Sequence, residues 1–172
     1  GWPILNPGQA AATIILNATD GRYPGGKYIC TYEGDGDIVF DWDAKATSHQ
    51  SGRIEVQVTP SDRGIYLRIE NSNPSDHIRN IKLVHEDLVD HPSSFHPLFV
   101  ERLRPFKTLR FMDWQRTNTT SQVNWSDRVT PDYYTQAERG GVAIELLIEL
   151  ANELGADPWV CMPAHANDDY VR

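Results

Sequence analysis

Apolar positions between residues 11 and 84 recur with a period of two. The run 53–59 puts Ile54, Val56 and Val58 on one face, and 65–70 does the same with Ile65, Leu67 and Ile69. Segments 12–16, 27–32, 38–42 and 78–84 are further short runs rich in β-branched and aromatic residues. Side chains alternate across a strand, so the pattern predicts half-buried strands that share a core. Asp35 and Gly36 separate 27–32 from 38–42 and predict a hairpin, and residues 61–64 and 71–76 supply two more turns. Antiparallel strands at this spacing predict a small β-sandwich.

The period changes after residue 84. Residues 85–97 are rich in proline and histidine without periodicity, which places a boundary near residue 92 and predicts two domains, 1–92 and 93–172. Residues 95–104 then predict a helix capped by Ser94, with Leu98, Phe99 and Leu103 on one side, and Pro105 ends it. Segment 108–114 reads as a strand, 141–154 as an amphipathic helix and 158–163 as a second, buried strand containing Trp159. Asn167 is placed to cap a further helix. Strands alternating with helices imply a parallel pair, because parallel neighbours need a crossover. The expected fold class is therefore mixed: an N-terminal antiparallel β-sandwich followed by the first β/α units of a larger parallel sheet. Two strands close no barrel, so the stretch beyond Thr108 is expected to be poorly stable by itself. The remaining strands are expected from a continuation of the chain or from an associated fragment.

Charge narrows the partner class. Sixteen basic and 24 acidic residues give a net charge of −8, and no lysine- or arginine-rich block appears. That argues against a nucleic-acid surface and leaves neutral polymers such as polysaccharide. A hydrophobic fraction of 40% with five Trp is ample for a core. No apolar run reaches membrane-spanning length. Cys30 and Cys161 read as two buried free thiols rather than a disulfide. The opening Gly1, Trp2 and Pro3 suit a processed, secreted chain or a fragment. Asn17, Asn118 and Asn124 head sequons, which matter only where the source glycosylates.

In parallel α/β sheets chemistry gathers at the carboxyl ends of the strands. Those ends carry Asp113, Trp114, Met162 and a 164–168 loop with His165, while Trp125 lies in the loop between the units. Trp114 and Trp125 offer flat apolar area that matches the C–H face of a pyranose. His165 either bonds a sugar hydroxyl or orders its own loop. Asp113 either approaches sugar or holds Arg116 or Arg128 in a salt bridge. Asp168 and Asp169 fall where a helix first turn favours negative charge in any case. Glu145, Glu149 and Glu153 form a solvated helix face opposite Ile144, Leu147, Ile148 and Ala151. Tyr23, Tyr28, Tyr32 and Trp42 are candidates for a sugar platform, against the plainer reading of core or edge aromatics. His85, His91 and His96 fit no familiar metal spacing, and neither metal nor cofactor is expected.

Residues 109–114, Arg116, Thr117 and Asn118, Trp125 through Arg128, Gly141, Leu150 through Asn152, Asp157 through Trp159 and Asp168 through Val171 carry a resemblance. Here the chain resembles secreted bacterial proteins of glycoside-hydrolase type, with an N-terminal β-sandwich and a (β/α)8 barrel. Gly26 to Tyr28, Ser61 to Ile65 and Ile78 to Ile81 are similar to the leading, cellulose-binding-like module of such proteins. The resemblance implies a polysaccharide cleft whose first wall is Trp114, Trp125 and the His165 loop, with Asp113 and Asn118 beside it. It also implies an acid/base carboxylate after the fourth barrel strand and a nucleophile after the seventh. Retaining glycosidases hold that pair about 5–5.5 Å apart. This sequence carries strands one and two, so the catalytic residues stay unassigned. Three function classes follow: the leading part of a secreted glycoside hydrolase, a non-catalytic carbohydrate-binding or extracellular-matrix glycoprotein, and a metal-dependent oxidative polysaccharide enzyme. The third needs converging histidines, and only His165 lies near the expected cleft.

Overall fold

A computed structural model describes residues 4–6, 8–133, 135–136 and 140–172; the opening Gly1, Trp2 and Pro3 lie outside the described residues. The fold is mixed but mostly β, with a three-stranded and a four-stranded antiparallel sheet, a few short helices and, among the described residues, no closed barrel. The chain divides into two compact units, Gly1–Pro92 and Ser93–Arg172.

In the first unit β1 (Ala11–Ile15), β6 (Ile65–Ser72) and β3 (Gly36–Trp42) form one sheet in the order β1-β6-β3. The other holds β4 (Ala44–Gln50), β5 (Arg53–Val58), β2 (Gly26–Glu33) and β7 (Arg79–His85), in the order β4-β5-β2-β7. One core joins them: Ile38, Phe40, Ile65 and Leu67 come from the first sheet, and Tyr28, Cys30, Ile54, Val56 and Val58 from the second. The two-residue period is what puts these side chains on facing surfaces.

The hairpin expected at Asp35 and Gly36 is not formed. Strand β2 pairs with β5 and β7, whereas β3 pairs with β6, so the chain changes sheets at this corner. A distant segment fixes it: Asp35 N–H donates to the Asp76 carbonyl at 2.9 Å, and Asn73 N–H to the Asp35 carbonyl at 2.8 Å. A Cβ on Gly34 would lie 2.1 Å from the His77 carbonyl oxygen, and one on Gly36 2.2 Å from that of Asn71. Glycine is required because backbone meets backbone here. Strand β4 was not foreseen. Its inward residues Ala44 and Ala46 are too small to mark a period, and it stands at a sheet edge.

Asp43 anchors the turn that ends β3. Its carboxylate accepts from Tyr23 Oη at 2.6 Å, Ser61 N–H at 2.6 Å, Ser61 Oγ at 2.5 Å and Gly64 N–H at 3.1 Å. Burial pushes the carboxyl up, but these donors outweigh it and hold the group below the usual carboxylate range. Burial, and then the Asp43 carboxylate itself, push the Tyr23 phenol up.

The second unit has α1 (Pro97–Leu103), β8 (Thr108–Arg110), α2 (Ile144–Leu154), β9 (Asp157–Trp159) and α3 (Asp168–Val171). Strands β8 and β9 pair in parallel, with Leu109 opposite Pro158, and α2 is the crossover between them. His96, rather than Ser94, caps α1: its Nδ1 accepts from Leu98 N–H at 3.2 Å. The buried side of α1 is Val100 with Leu103, three residues apart, while Leu98 and Phe99 face out. On α2 the buried stripe is Leu147, Leu150 and Ala151, and Ile148 is exposed. Trp159, expected in the core, is 56% exposed on the outer strand of a two-stranded sheet, with the Arg110 guanidinium 5.1 Å over its ring. Of the two thiols, Cys30 is fully buried and Cys161 is partly exposed. Among the described residues no helix is long and apolar enough to cross a membrane.

Candidate functional site

The last rung of the parallel pair is Phe111 N–H donating to the Trp159 carbonyl at 3.2 Å. Both chains then leave the sheet in the same direction. After β8, residues 112–119 wind through consecutive turns, and a short 3-10 turn follows at Trp125–Asp127. After β9, residues 160–167 form a loop that opens α3, with Asn167 as N-cap accepting from Tyr170 N–H at 2.9 Å.

Hydrogen bonds tie the two trailing loops together along their length. Cys161 N–H donates to Gln115 Oε1 at 3.3 Å, Ala164 N–H to the Thr117 carbonyl at 3.0 Å, and Asn167 N–H to the Val123 carbonyl at 2.9 Å. Asn167 Nδ2 donates to Asn124 Oδ1 at 2.9 Å, and Tyr170 Oη to Gln122 Oε1 at 3.0 Å. Gln115, Thr117, Thr120 and Gln122 are buried beneath this surface, so irregular backbone is held by buried side-chain donors and acceptors. Gly141 locks the return to α2. A Cβ there would lie 2.6–2.7 Å from the Trp114 and Gln115 backbone, and next to it Val142 N–H donates to the Trp114 carbonyl at 2.8 Å.

Trp125 is 43% exposed. The Arg128 guanidinium lies 4.2 Å over its ring, and Tyr170 meets it edge-on with centroids 5.4 Å apart. Arg128 is held by Glu145 at 2.7 Å, and its Nε and Glu145 Oε2 have no partner among the described residues. Glu145 is thus an ion-pair partner, not part of a purely solvated face. Asp127 Oδ2 accepts from Asn124 N–H at 2.8 Å and Val123 N–H at 3.2 Å, which holds its carboxyl below the usual range and fixes the turn under Trp125.

His165 is exposed in the loop between the two anchored positions Ala164 and Asn167. Asp113 and Asn118 are exposed on the turns after β8. Among the described residues Asp113 forms no salt bridge to Arg116 or Arg128, and Arg128 is engaged by Glu145. Asp168 and Asp169 occupy the first turn of α3, where Asp169 lies 3.6 Å from Arg172.

Trp114 stands apart from this group. It stacks on Phe99 of α1, centroids 6.0 Å apart at 15°, and leans on Phe111 at 5.7 Å. No ring contact joins it to Trp125 among the described residues. Of the expected first wall, Trp125 and the His165 loop lie on the joined loops, while the ring of Trp114 packs in an aromatic seam with α1. The sequence pattern singles out neither Gln115 nor Gln122, and it gives Arg128, Glu145 and Tyr170 no part in the loop surface. Gln115 and Gln122 bear no periodic signal, and only the density of amides and aromatics in a long irregular segment marks them.

Elsewhere, Tyr23 and Tyr28 are buried and donate to Asp43 and to the Pro24 carbonyl, so neither is a sugar platform. Trp42 is 41% exposed but stacks on Tyr66, centroids 4.7 Å apart, with Arg63 5.1 Å over its ring. His85 Nδ1 accepts from Asp87 N–H, a local capping role like that of His96. Asn17 and Asn118 are exposed, while the Asn124 amide is already engaged by Asp127 and Asn167.

Comparison with protein-family models, with curated proteins and with solved structures gave no match to this chain.

Proposed function

We propose that this chain is the leading part of a secreted glycoside-hydrolase-like protein that acts on polysaccharide. In this reading residues 1–92 are a β-sandwich, carbohydrate-binding-like module. Residues 93–172 are the opening β/α units of a (β/α)8 barrel and contribute one wall of its substrate cleft. The observation that carries the reading is the parallel β8–α2–β9 unit, whose two trailing loops are hydrogen-bonded into one surface on the side where α/β sheets bind ligands. That surface presents Trp125, His165, Asp113 and Asn118, an aromatic plane among hydrogen-bonding groups, as pyranose recognition needs. Among the described residues of the second unit eleven large apolar side chains are exposed, Leu98, Phe106, Trp159 and Met162 among them. Parallel strands occur almost only with both faces covered, so these are the positions that further barrel elements would cover.

The test is affinity electrophoresis of the chain in soluble glucans, xylans and mannans, together with a reducing-end assay. The expected result is retardation by at least one polymer, weakened about five-fold or more in Trp125→Ala and His165→Ala, with no release of reducing ends by this chain by itself. Retardation unchanged in both variants would remove the cleft assignment. Released reducing ends would place an acid/base pair within these residues and overturn the view that the catalytic carboxylates lie elsewhere.

A further inference from the structure

Strands β2 and β7 are in register through Thr31 opposite Lys82, then resume at Glu33 opposite Arg79. Between these rungs β2 has one residue, Tyr32, and β7 has two, Asn80 and Ile81. The extra residue is Asn80, held at φ 53°, a left-handed conformation that non-glycine residues seldom adopt. This is a β-bulge, and bulges interrupt the ladder and re-aim side chains, often beside binding sites. Tyr32 N–H accordingly turns the other way and donates to the Gly52 carbonyl at 3.1 Å.

A cavity of about 420 Å³ lies at this break, lined by Thr31, Tyr32, Glu33, Asn80, Ile81 and Lys82. Its volume falls in the range of small-ligand sites, about 300–1,000 Å³. Tyr32 and Ile81 also pack against the rim of the core, so the apolar part of the wall is fixed by the fold. The polar part is different: the Thr31 hydroxyl, the Asn80 amide and the Lys82 ammonium make no hydrogen bond or ion pair among the described residues. Glu33 is fastened through one oxygen, Oε2, to Arg79 at 3.3 Å. An aromatic and aliphatic wall ringed by free donors and acceptors matches a ligand with apolar faces and a hydroxylated edge. Lys82 and Glu33 offset each other in charge, and the chain carries a net charge of −8, which disfavours a polyanion.

We infer that the bulge cavity between β2 and β7 is a binding site for a neutral saccharide unit. It rests on the reading of residues 1–92 as a carbohydrate-binding-like module and stands independently of the loop surface of residues 93–172. Asn80 and Lys82 donate to ring hydroxyls, Glu33 accepts from them, and Tyr32 and Ile81 cover one sugar face.

The 172-residue chain, labelled with 15N, is titrated with β-1,4-linked hexaoses of glucose, xylose and mannose, and with hexagalacturonate as the charged control. Saturable shifts of the amides of residues 31–33 and 80–82 with a neutral hexaose are expected. Lys82→Ala and Asn80→Gly should each weaken that binding about five-fold without loss of the fold, because neither side chain is packed in the core and glycine accepts the left-handed backbone at residue 80. Trp125→Ala should leave it unaltered, which separates this site from the proposed cleft. Absence of shifts at these amides with every neutral hexaose at about 5 mM, shifts confined to residues 113–128 and 160–170, binding of hexagalacturonate alone, or binding undiminished in both variants would each overturn the inference.

Discussion

At Asp43 one carboxylate gathers four donors from Tyr23, Ser61 and Gly64, and the consequence is a pH dependence with a definite sign. Its folded value lies below the ordinary carboxylate value of about 3.9. The stabilisation it provides is therefore complete above the unfolded value and is lost as pH falls through the folded one. Replacing Asp43 with Asn should cost about 1–3 kcal/mol in urea unfolding of the first unit at pH 7. The difference from the parent should shrink below about pH 4. A gap that stays constant into acid would show that shape, not charge, holds the turn. The same residue shows what the sequence could not convey. An isolated Asp after Trp42 looks like an ordinary turn residue, and its importance arises only when residues 61–64, far along the chain, fold back onto it.

Among the elements, β5 and β6 were legible because Ile54, Val56 and Val58, and Ile65 and Leu67, alternate cleanly and end buried. The helix α2 was legible for the same reason at the helical period. Where the reading failed, the cause was distant contact. The Asp35 and Gly36 turn was taken for a hairpin, but the segment around residues 71–77 decides which sheet each arm joins. The apolar run 158–163 predicts a buried strand with Trp159 in the core, yet a strand with a single neighbour leaves it outside. At the candidate surface, Trp125 and His165 lie on the joined loops, and the ring of Trp114 stacks on Phe99, a contact between α1 and the turns that no periodic pattern signals. Gly141 gives a test at this scale. Gly141→Ala forces a Cβ against the Trp114 and Gln115 backbone at φ +76°, and should cost about 1–3 kcal/mol locally. Amide exchange of residues 113–124 and 160–167 should quicken, and polysaccharide retardation should weaken, while β2 and β5 keep their protection. Unchanged exchange in those loops would show that the return of the chain to α2 does not hold them.

Over the whole molecule, the two units differ in how much they bury. Among the described residues the first has twelve buried in its core and the second six, in a unit with eleven large apolar groups exposed. Stability follows buried apolar area, so urea unfolding should show two steps, with the second unit losing its amide protection first. One cooperative step, with both units equally protected, would refute this ordering. The cysteines give a way to watch it. Cys30 has no accessible surface, and burial pushes its thiol up to about 11, whereas Cys161 is partly exposed. Thiolate is the reactive form, so a maleimide added to the native chain should mark Cys161 and spare Cys30. Each alkylation event at Cys30 then timestamps a full opening of the first unit, and the chain carries its own unfolding clock without any engineered probe.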